Sequence, residues 1–308
     1  MHYRGRFAPS PSGRLHFGSL VAATASYLSA RQAGGEWLLR IEDLDPPRTV
    51  PGSADQIVAT LEALGFEWSG SILFQSTRTE AYQAALIRLL ELGLAYPCSC
   101  SRSELLTAQP ASKSGGTLRY PGFCRNGPHP RFPAEPMAIR LRVEAAPIVV
   151  EDGIQGARIF DVAREVGDFV IRRRDQLYAY QLAVTVDDAA QGITHVVRGI
   201  DLWDSTPRQM ILQRALGLPT PKYAHVPLAT GTNGVKLSKS AGAAAIDMRT
   251  PTWQVWRALQ FLRQAPPPEL RMGAVDALWD WAIQHWRVQP LHGLQRAMVR
   301  DPPRHPPW

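Results

Sequence analysis

The chain has 308 residues, and its 34 Lys and Arg against 27 Asp and Glu give a formal net charge of +7. A chain of this length can bury a substantial core and form two or three domains, which excludes a disordered tail or a simple repeat array. It contains no run of about 20 apolar residues and no signal-peptide pattern, so we expect a cytoplasmic protein without a membrane span. The basic balance favours a polyanionic partner such as a nucleic acid.

Residues 1–95 alternate apolar strand patterns with helical patterns. Strands are predicted at 3–8 and 35–41, and helices at 19–33, 54–64 and 79–92. This alternation is typical of a parallel sheet covered by helices, so we predict an α/β fold whose ligands bind at the carboxyl ends of the strands. His16 and Glu42 each follow a predicted strand closely, which places both near that edge.

A predicted strand, a turn-rich loop and a predicted helix meet at Leu15-His16-Phe17-Gly18-Ser19. Such a junction points backbone N–H groups and the positive end of a helix at an anion, and Gly18 lets a ligand approach the backbone closely. The imidazole of His16 can donate to a phosphate oxygen. The segment therefore predicts a phosphate site, although a single His beside a Gly is more often structural.

A second short segment, Lys236-Leu237-Ser238-Lys239-Ser240, holds two of the chain's four lysines. Lys is a point charge on a flexible stem, which suits a phosphate whose geometry changes during a reaction. Glycines at 231, 234 and 242 indicate a loop that is able to close over a nucleotide. Alone, such a loop is most simply a solvated surface loop. Together with the first segment it describes a site for ATP phosphates.

All three cysteines, Cys98, Cys100 and Cys124, lie in one stretch that is otherwise rich in Ser, Gly and Pro. Short spacing followed by a distant third thiol is compatible with a zinc site in a reducing compartment. His129 is the ordinary candidate for the fourth ligand, and three reduced thiols without a metal are the alternative. Since this stretch interrupts the α/β alternation, we interpret 96–170 as an insertion.

The second half of the predicted fold covers 171–250, and a helical region covers 251–308. Strands are expected at 169–173 and 193–198, with a β-like piece at 138–143 in the insertion, and helices at 253–262 and 275–286. The tryptophans of these helices are interpreted as packing residues, and the proline-rich stretch 302–307 is expected to be loosely ordered. The basic run 172–174 fits either nucleic-acid backbone contacts or a solvated strand end.

The two short segments together resemble the paired HIGH and KMSKS signatures of class I aminoacyl-tRNA synthetases. Segments 6–13, 39–45, 186–188 and 192–199 resemble those of glutamyl-tRNA synthetases, so the resemblance runs from the start of the chain to just beyond the lysine segment. It implies a Rossmann-like nucleotide-binding fold and ATP with Mg²⁺. The catalytic residues that it implies are His16, Lys236 and Lys239, and the ATP-binding residues are His16, Gly18, Ser19 and Lys239.

The resemblance implies L-glutamate as the substrate, bound by Arg6, Phe7, Ala8, Pro9, Ser10, Glu42, Tyr180 and Arg198. The two arginines could neutralise its carboxylates, Glu42 could pair with its ammonium, and Tyr180 could add a hydroxyl. Without the resemblance, the arginines would be interpreted as surface charges, Glu42 as a partner of a neighbouring arginine, and Tyr180 as a core aromatic.

The same resemblance supplies Tyr120 as the fourth zinc ligand, and for that reason we favour it over His129. The predicted metal ligands are thus Cys98, Cys100, Tyr120 and Cys124. The zinc is expected to be structural, because the polar excursion 99–120 cannot bury much apolar surface and needs a clip. It is expected to stiffen the arm that handles the end of the nucleic acid.

Only 68 residues follow Ser240, too few for the helical anticodon-binding region of a complete glutamyl-tRNA synthetase. In addition, Phe17 and Ser19 replace the usual Ile and second His of the HIGH signature. The chain therefore resembles the glutamyl-queuosine tRNA(Asp) synthetases, which consist of the catalytic part alone.

That resemblance implies a ligase that forms glutamyl-adenylate and transfers the glutamyl group to queuosine in the anticodon loop of tRNA(Asp). We expect a monomer. The alternatives are a glutamyl-tRNA synthetase that charges the 3′ end of tRNA(Glu), a tRNA-independent nucleotidyltransferase, and a non-catalytic protein that only binds tRNA.

Overall fold

The structure is a computed structural model that describes residues 2–108, 119–127, 129, 136–231 and 245–299. Its helices are α1 (Phe17–Gln32), α2 (Ser53–Ala63), α3 (Thr79–Glu91), α4 (Arg102–Ala108), α5 (Val162–Glu165), α6 (Tyr180–Ala190), α7 (Thr206–Leu216), α8 (Pro251–Phe261) and α9 (Val275–His285). All five predicted helices are confirmed to within two residues at each end.

The strands are β1 (Arg4–Phe7), β2 (Glu36–Ile41), β3 (Leu73–Phe74), β4 (Ala95–Cys98), β5 (Ala138–Leu141), β6 (Ile148–Asp152), β7 (Gly156–Phe160), β8 (Phe169–Arg172), β9 (His195–Gly199), β10 (Lys222–Val226), β11 (Leu228–Thr230) and β12 (Arg296–Met298). The predicted alternation of strands and helices is present on both sides of the insertion. It confirms the α/β class.

Parallel strands form the centre of the fold. β1 pairs with β2 and β2 with β3, while β9 pairs with β10, all in parallel. The two sets meet where Thr194 N donates to Arg4 O at 2.9 Å and Arg4 N donates to Thr194 Oγ1 at 2.8 Å. The carboxyl ends of β1, β2, β9 and β10 therefore open towards one edge, where ligands of such sheets bind.

The insertion contributes a second sheet, in which β4, β5 and β8 run antiparallel. The sequence placed the strand at 169–173 in the second half of the fold, whereas Phe169 of β8 pairs with Leu141 of β5. β6 and β7 form a hairpin, and β6 reaches β10 through Asp152 and Tyr223. The insertion is thus hydrogen-bonded to the parallel strands. The predicted domain bounds, 1–95, 96–170, 171–250 and 251–308, stay a prediction.

The main core lies around α1, where Leu20 and Leu28 have no solvent exposure. The C-terminal helices pack on it through tryptophan: Trp279 Nε1 donates to Leu64 O at 2.9 Å, and Trp286 Nε1 donates to Ser29 Oγ at 3.1 Å. Trp253 and Trp256 are also buried and Trp281 is partly buried. The interpretation of these tryptophans as packing residues is therefore confirmed.

Two predictions concern residues outside this description. The lysine segment 236–240 lies beyond the described residues, as does the proline-rich stretch 302–307. Within the described part of the chain, no helix has the length and apolarity needed to cross a bilayer. The monomeric state stays a prediction.

Candidate active site

A cavity of about 880 Å³ lies at the carboxyl ends of β1, β2, β9 and β10. All of the predicted substrate and ATP residues that the structure describes line it: Arg6, Phe7, Ala8, Pro9, Ser10, His16, Gly18, Ser19, Glu42, Tyr180 and Arg198. Lys236 and Lys239 lie outside the described residues. Residues separated by up to 192 positions are thus brought to one site, and their roles stay predictions.

His16 caps the N-terminus of α1 with its own side chain. Its extended backbone (φ −115°, ψ 170°) precedes the helix, and Ser19 N donates to its Nδ1 at 3.3 Å. Because Nδ1 accepts, the neutral ring carries its proton on Nε2, which lies 3.2 Å from Ser19 Oγ. The first turn of α1 has no acidic side chain. This end of the helix therefore offers an N–H donor and an uncompensated positive dipole to an anion.

Arg6 is held by a buried carboxylate. Its Nε and Nη2 donate to the two oxygens of Asp188 at 3.1 and 3.2 Å, and Arg40 Nη2 donates to Asp188 Oδ1 at 2.8 Å. Burial alone would raise the pKa of Asp188, but the two guanidinium charges hold it below its ordinary value. Asp188 stays ionised and fixes the orientation of Arg6 in the cavity wall.

Glu42 lies in the cavity wall and has one fully buried oxygen. Its Oε1 lies 3.5 Å from Arg40 Nη2 and has no hydrogen-bond partner among the described residues. Burial raises the pKa of Glu42, although the charges of Arg40 and Arg6 oppose this shift. A buried carboxylate is costly, and the positive charge of an ammonium group in the cavity would stabilise its ionised form.

Arg198 is the most extensively held side chain of the site. Its guanidinium donates to five protein groups, of which the Tyr180 hydroxyl is the most distant at 3.4 Å. The others are His225 Nε2 at 3.0 Å, Gln209 Oε1 at 2.9 Å, Leu202 O at 3.3 Å and Thr206 Oγ1 at 2.8 Å. Tyr180 accepts here, so its own O–H remains to donate to a ligand in the cavity.

Asp152 and His225 stand behind Arg198, and the sequence analysis did not identify them. His225 Nδ1 lies 2.5 Å from Asp152 Oδ2, and neither side chain is exposed. Burial lowers the pKa of His225 to about 4, so the ring is neutral at pH 7. The only local signal is a polar residue inside the apolar strand Tyr223-Ala224-His225-Val226.

A second cavity, of about 310 Å³, lies beside the first. The two share Ser10, Ser12, Glu42, Arg48 and Tyr180 in their walls. The far wall of the second cavity contains Asp45, which pairs with Arg48 at 2.6 Å and with Arg173 at 3.3 Å. These charged groups stand in its wall, and the shared residues separate it from the His16 end.

The three cysteines converge in the insertion. Their sulfurs all lie within 4.8 Å of one another and are buried. Two thiolates on a tetrahedral Zn²⁺ with bonds of about 2.3 Å lie roughly 3.8 Å apart, and Sγ of Cys100 and Cys124 are 3.6 Å apart. Burial would raise the pKa of Cys124, but hydrogen bonds, first among them that of Ser99, lower it to about 6. The donor set fits a zinc ion.

Of the two candidates for the fourth ligand, Tyr120 lies closer to the cysteines. Its phenol oxygen is 3.4 Å from Cys98 Sγ and accepts from Cys124 N at 2.8 Å. Among the described residues, the side chain of His129 does not lie within ligand distance of the three cysteines. Its ring packs on Phe123 at a centroid distance of 5.3 Å. This geometry favours Tyr120.

Comparison with known proteins shows the family of this chain. Residues 2–261 match the family of class I tRNA synthetases (E and Q), catalytic domain. A glutamyl-Q tRNA(Asp) synthetase of Dechloromonas aromatica (strain RCB) is 53% identical over 92% of this chain and 94% of its own length. Another, of Ectopseudomonas mendocina (strain ymp), is 54% identical over 97% of this chain and 99% of its own length.

Solved structures show the same fold. The glutamate-tRNA synthetase of Elizabethkingia anophelis superposes with a TM-score of 0.80 at 24% identity, over 97% of this chain and 68% of that chain. A glutamate tRNA ligase of Elizabethkingia meningosepticum, solved in complex with its amino acid, gives 0.80 at 25% identity, over 97% and 67%. The chain belongs to the class I tRNA synthetases (E and Q), and its curated relatives within that family are glutamyl-Q tRNA(Asp) synthetases.

Proposed function

We propose that this chain is an ATP-dependent ligase that activates L-glutamate and transfers the glutamyl group to queuosine of tRNA(Asp). The observation that carries the proposal is the identity of 53–54% to glutamyl-Q tRNA(Asp) synthetases over more than nine-tenths of the chain. The cavity supports it, because a phosphate-binding helix end and a set of buried charges suited to an amino acid line the same space.

Each charged group of glutamate, the ammonium and the two carboxylates, would meet a protein group of opposite charge. Glu42 lines the cavity and pairs with the ammonium group through its carboxylate. Arg6 has its Nε and Nη2 committed to Asp188, which leaves Nη1 for a carboxylate. The Tyr180 hydroxyl donates to the other carboxylate, and Arg198, whose five N–H groups already have protein partners, supplies its positive charge behind it. Each of these groups is held before the ligand arrives, so binding has little side-chain entropy to remove.

In the first step the α-carboxylate of glutamate attacks the α-phosphorus of ATP, and pyrophosphate leaves. His16 donates from Nε2 to the phosphates at the end of α1, and Lys236 and Lys239 supply further positive charge. Mg²⁺ bound together with ATP would neutralise part of the phosphate charge. In the second step a hydroxyl of the acceptor attacks the carbonyl of glutamyl-adenylate and AMP leaves.

The second cavity suits the approach of the acceptor. ATP would occupy the His16 end, so a hydroxyl must reach the glutamyl carbonyl from another direction. The smaller cavity meets the glutamate residues at Glu42 and Tyr180, away from His16. Its wall of Asp45, Arg48 and Arg173 offers polar partners to a nucleoside.

Cys98, Cys100, Cys124 and Tyr120 would hold a structural Zn²⁺. The metal would supply the cross-link that this polar part of the insertion lacks, because these residues form only a small buried cluster with Tyr96 and Leu105. The ion takes no part in the chemistry proposed here.

The test is the transfer of labelled glutamate, with ATP, to tRNA(Asp) with and without queuosine. A second control is the same tRNA without its 3′-terminal adenosine. We expect label that needs queuosine but does not need the terminal adenosine. Label on tRNA(Glu) that requires the terminal adenosine would instead identify conventional charging, and glutamate-dependent exchange without any transfer would leave a tRNA-independent nucleotidyltransferase.

A further inference from the structure

We propose that Asp152 and His225 are positioning residues that set the orientation of Arg198 by fixing the tautomer of the His225 ring. The inference rests on the proposed function in that Arg198 is taken to bind a carboxylate of the substrate. It assigns a role in the active site to Asp152, a residue of the insertion. Neither Asp152 nor His225 contacts the cavity itself, since both are fully buried behind its wall.

The two oxygens of the Asp152 carboxylate accept hydrogen bonds from different donors. Its Oδ1 accepts three backbone N–H groups, from Ile154 at 2.9 Å, Gln155 at 2.8 Å and His225 at 3.1 Å. Its Oδ2 faces His225 Nδ1 at 2.5 Å. A carboxylate only accepts, so this contact requires the proton of the neutral imidazole to lie on Nδ1.

The opposite nitrogen of the ring then has a lone pair. His225 Nε2 lies 3.0 Å from Arg198 Nε, which has one hydrogen and cannot accept. If the ring proton moved to Nε2, it would face the N–H of Arg198 Nε, and the other neighbour of Nε2, Thr206 Oγ1 at 3.3 Å, already accepts from Arg198 Nη2. Asp152 therefore determines whether Arg198 Nε has a partner, although the two side chains lie on different strands of one sheet, β6 and β9, with β10 between them.

The strand register makes this connection rigid. β10 lies between β6 and β9, and it pairs His225 with Arg198 on one side and Tyr223 with Asp152 on the other. The ring of His225 is also stacked near Tyr223, with centroids 6.3 Å apart and an interplanar angle of 7°. Because the position of the ring is fixed, what can still change is which ring nitrogen carries the proton.

Asp152→Asn tests the idea with little change in shape. The amide oxygen can keep all three backbone hydrogen bonds of Oδ1, but the NH₂ group then faces His225 Nδ1 and forces the proton to Nε2. The reverse orientation of the amide would point its NH₂ at three backbone N–H groups. We expect the KM for glutamate in ATP–pyrophosphate exchange to rise about 10- to 100-fold, the cost of an unmatched hydrogen bond to a charged group. The KM for ATP should stay unchanged.

Asp168→Asn is the matched control. Asp168 is also a buried carboxylate, which accepts from Tyr96 OH at 2.6 Å and from Val143 N at 2.7 Å, but it makes no contact with Arg198. It should leave the KM for glutamate unchanged. An equal rise in both variants would mean a general effect of perturbing the insertion and would overturn the inference.

A double-mutant comparison separates positioning from folding. If Asp152 acts through His225, the variant carrying both Asp152→Asn and His225→Ala should have the same KM for glutamate as His225→Ala alone. Additive effects of the two substitutions would contradict the proposed chain of contacts.

Nitrogen NMR of His225 reads the tautomer without any need for activity. We expect Nδ1–H in the wild type and Nε2–H in Asp152→Asn at pH 7. A wild-type ring with its proton on Nε2 would overturn the inference. A wild-type ring with Nδ1–H in a protein that shows no glutamate-dependent exchange would instead overturn the proposed function, while leaving the Asp152–His225–Arg198 connection in place.

Discussion

At the scale of single residues, the site is organised by buried groups of alternating charge. Asp188 holds Arg6 and Arg40, and Arg40 in turn lies beside Glu42. Removing charges from water is expensive, and a buried ion pair is retained only where its geometry is good and its remaining atoms are hydrogen-bonded. The one buried carboxylate oxygen of this set without a hydrogen-bond donor among the described residues is Glu42 Oε1.

His16→Asn should separate the two tasks of His16. Asn is among the best N-cap residues, so the cap on Ser19 N and the stability of α1 should be kept. The Nε2 donor to the phosphates is lost, and the removal of one transition-state donor costs about 10²-fold in rate. We therefore expect kcat for ATP–pyrophosphate exchange to fall by about that factor, with Tm unchanged. A fall in Tm that parallels the loss of rate would show that His16 serves only as a cap.

Glu42 predicts a pH dependence of glutamate binding. Its pKa is raised by burial, so it takes up a proton at a higher pH than an ordinary glutamate does, and the protonated form cannot pair with an ammonium. The KM for glutamate should thus rise as the pH falls through this raised pKa. The substrate's own side-chain carboxyl does not interfere above pH 5.5, because its pKa is about 4.3.

Glu42→Gln is the comparison for that pH profile. The amide cannot ionise, so the KM for glutamate should be about 10- to 100-fold higher at pH 7.5, as expected for losing a hydrogen bond to a charged group, and nearly constant down to pH 5.5. The KM for ATP serves as the internal control. The same pH profile in wild type and variant would assign the titration to another group.

At this scale the sequence predicts site residues only where they belong to a short recognisable segment, because the residues that contact them lie far away along the chain. Arg6, Glu42 and Arg198 were identified because they belong to recognisable segments. Arg6 is held by Asp188, which is 182 positions away. His225, the ring behind Arg198, is held by Asp152, which is 73 positions away from it. No linear pattern encodes such contacts. The acidic pair Asp187-Asp188 in an apolar helical pattern was the available signal, since carboxylates on a buried helix face need cationic partners.

At the scale of elements, local periodicity predicted five helices to within two residues at each end, whereas α6 and α7, of eleven residues each, were not predicted. α3, for example, was predicted at 79–92 and is found at Thr79–Glu91. The pairing partners of short strands were harder to predict from the sequence. β8 has only four residues, and its pairing with β5 rather than with the parallel strands is decided by tertiary packing.

The cysteine group makes a prediction about metal content. The protein isolated under reducing conditions should contain one Zn²⁺ per chain, and Cys124→Ser should lose it together with several degrees of Tm, since a structural zinc contributes folding free energy. Tyr120→Phe should weaken zinc binding, whereas His129→Ala should retain it.

Zinc content by atomic spectroscopy and Tm with and without a chelator distinguish the possibilities. Zinc retained in Tyr120→Phe but lost in His129→Ala would reverse the assignment of the fourth ligand. A metal-free wild type with an unchanged Tm in chelator would show three reduced thiols that pack as small apolar residues.

At the scale of the whole molecule, the insertion and the parallel strands function as one unit. β6 joins the hairpin of the insertion to β10, and Asp152 at the end of β6 reaches the residues behind Arg198. The same insertion carries the cysteine group. A change in the insertion can therefore affect amino-acid activation directly, without involving the acceptor.

The net charge of +7 predicts that the tRNA step is sensitive to salt while the activation step is not. Lys and Arg that contact phosphates release counterions, and three such contacts lower affinity about 20- to 40-fold between 50 and 200 mM salt. The KM for tRNA in glutamyl transfer should rise by at least that factor over this range. Exchange measured without tRNA is the control, because glutamate binds to buried groups that salt screens weakly. A KM for tRNA that stays flat while transfer proceeds would mean that shape and base contacts, rather than the basic surface, dominate recognition of the acceptor.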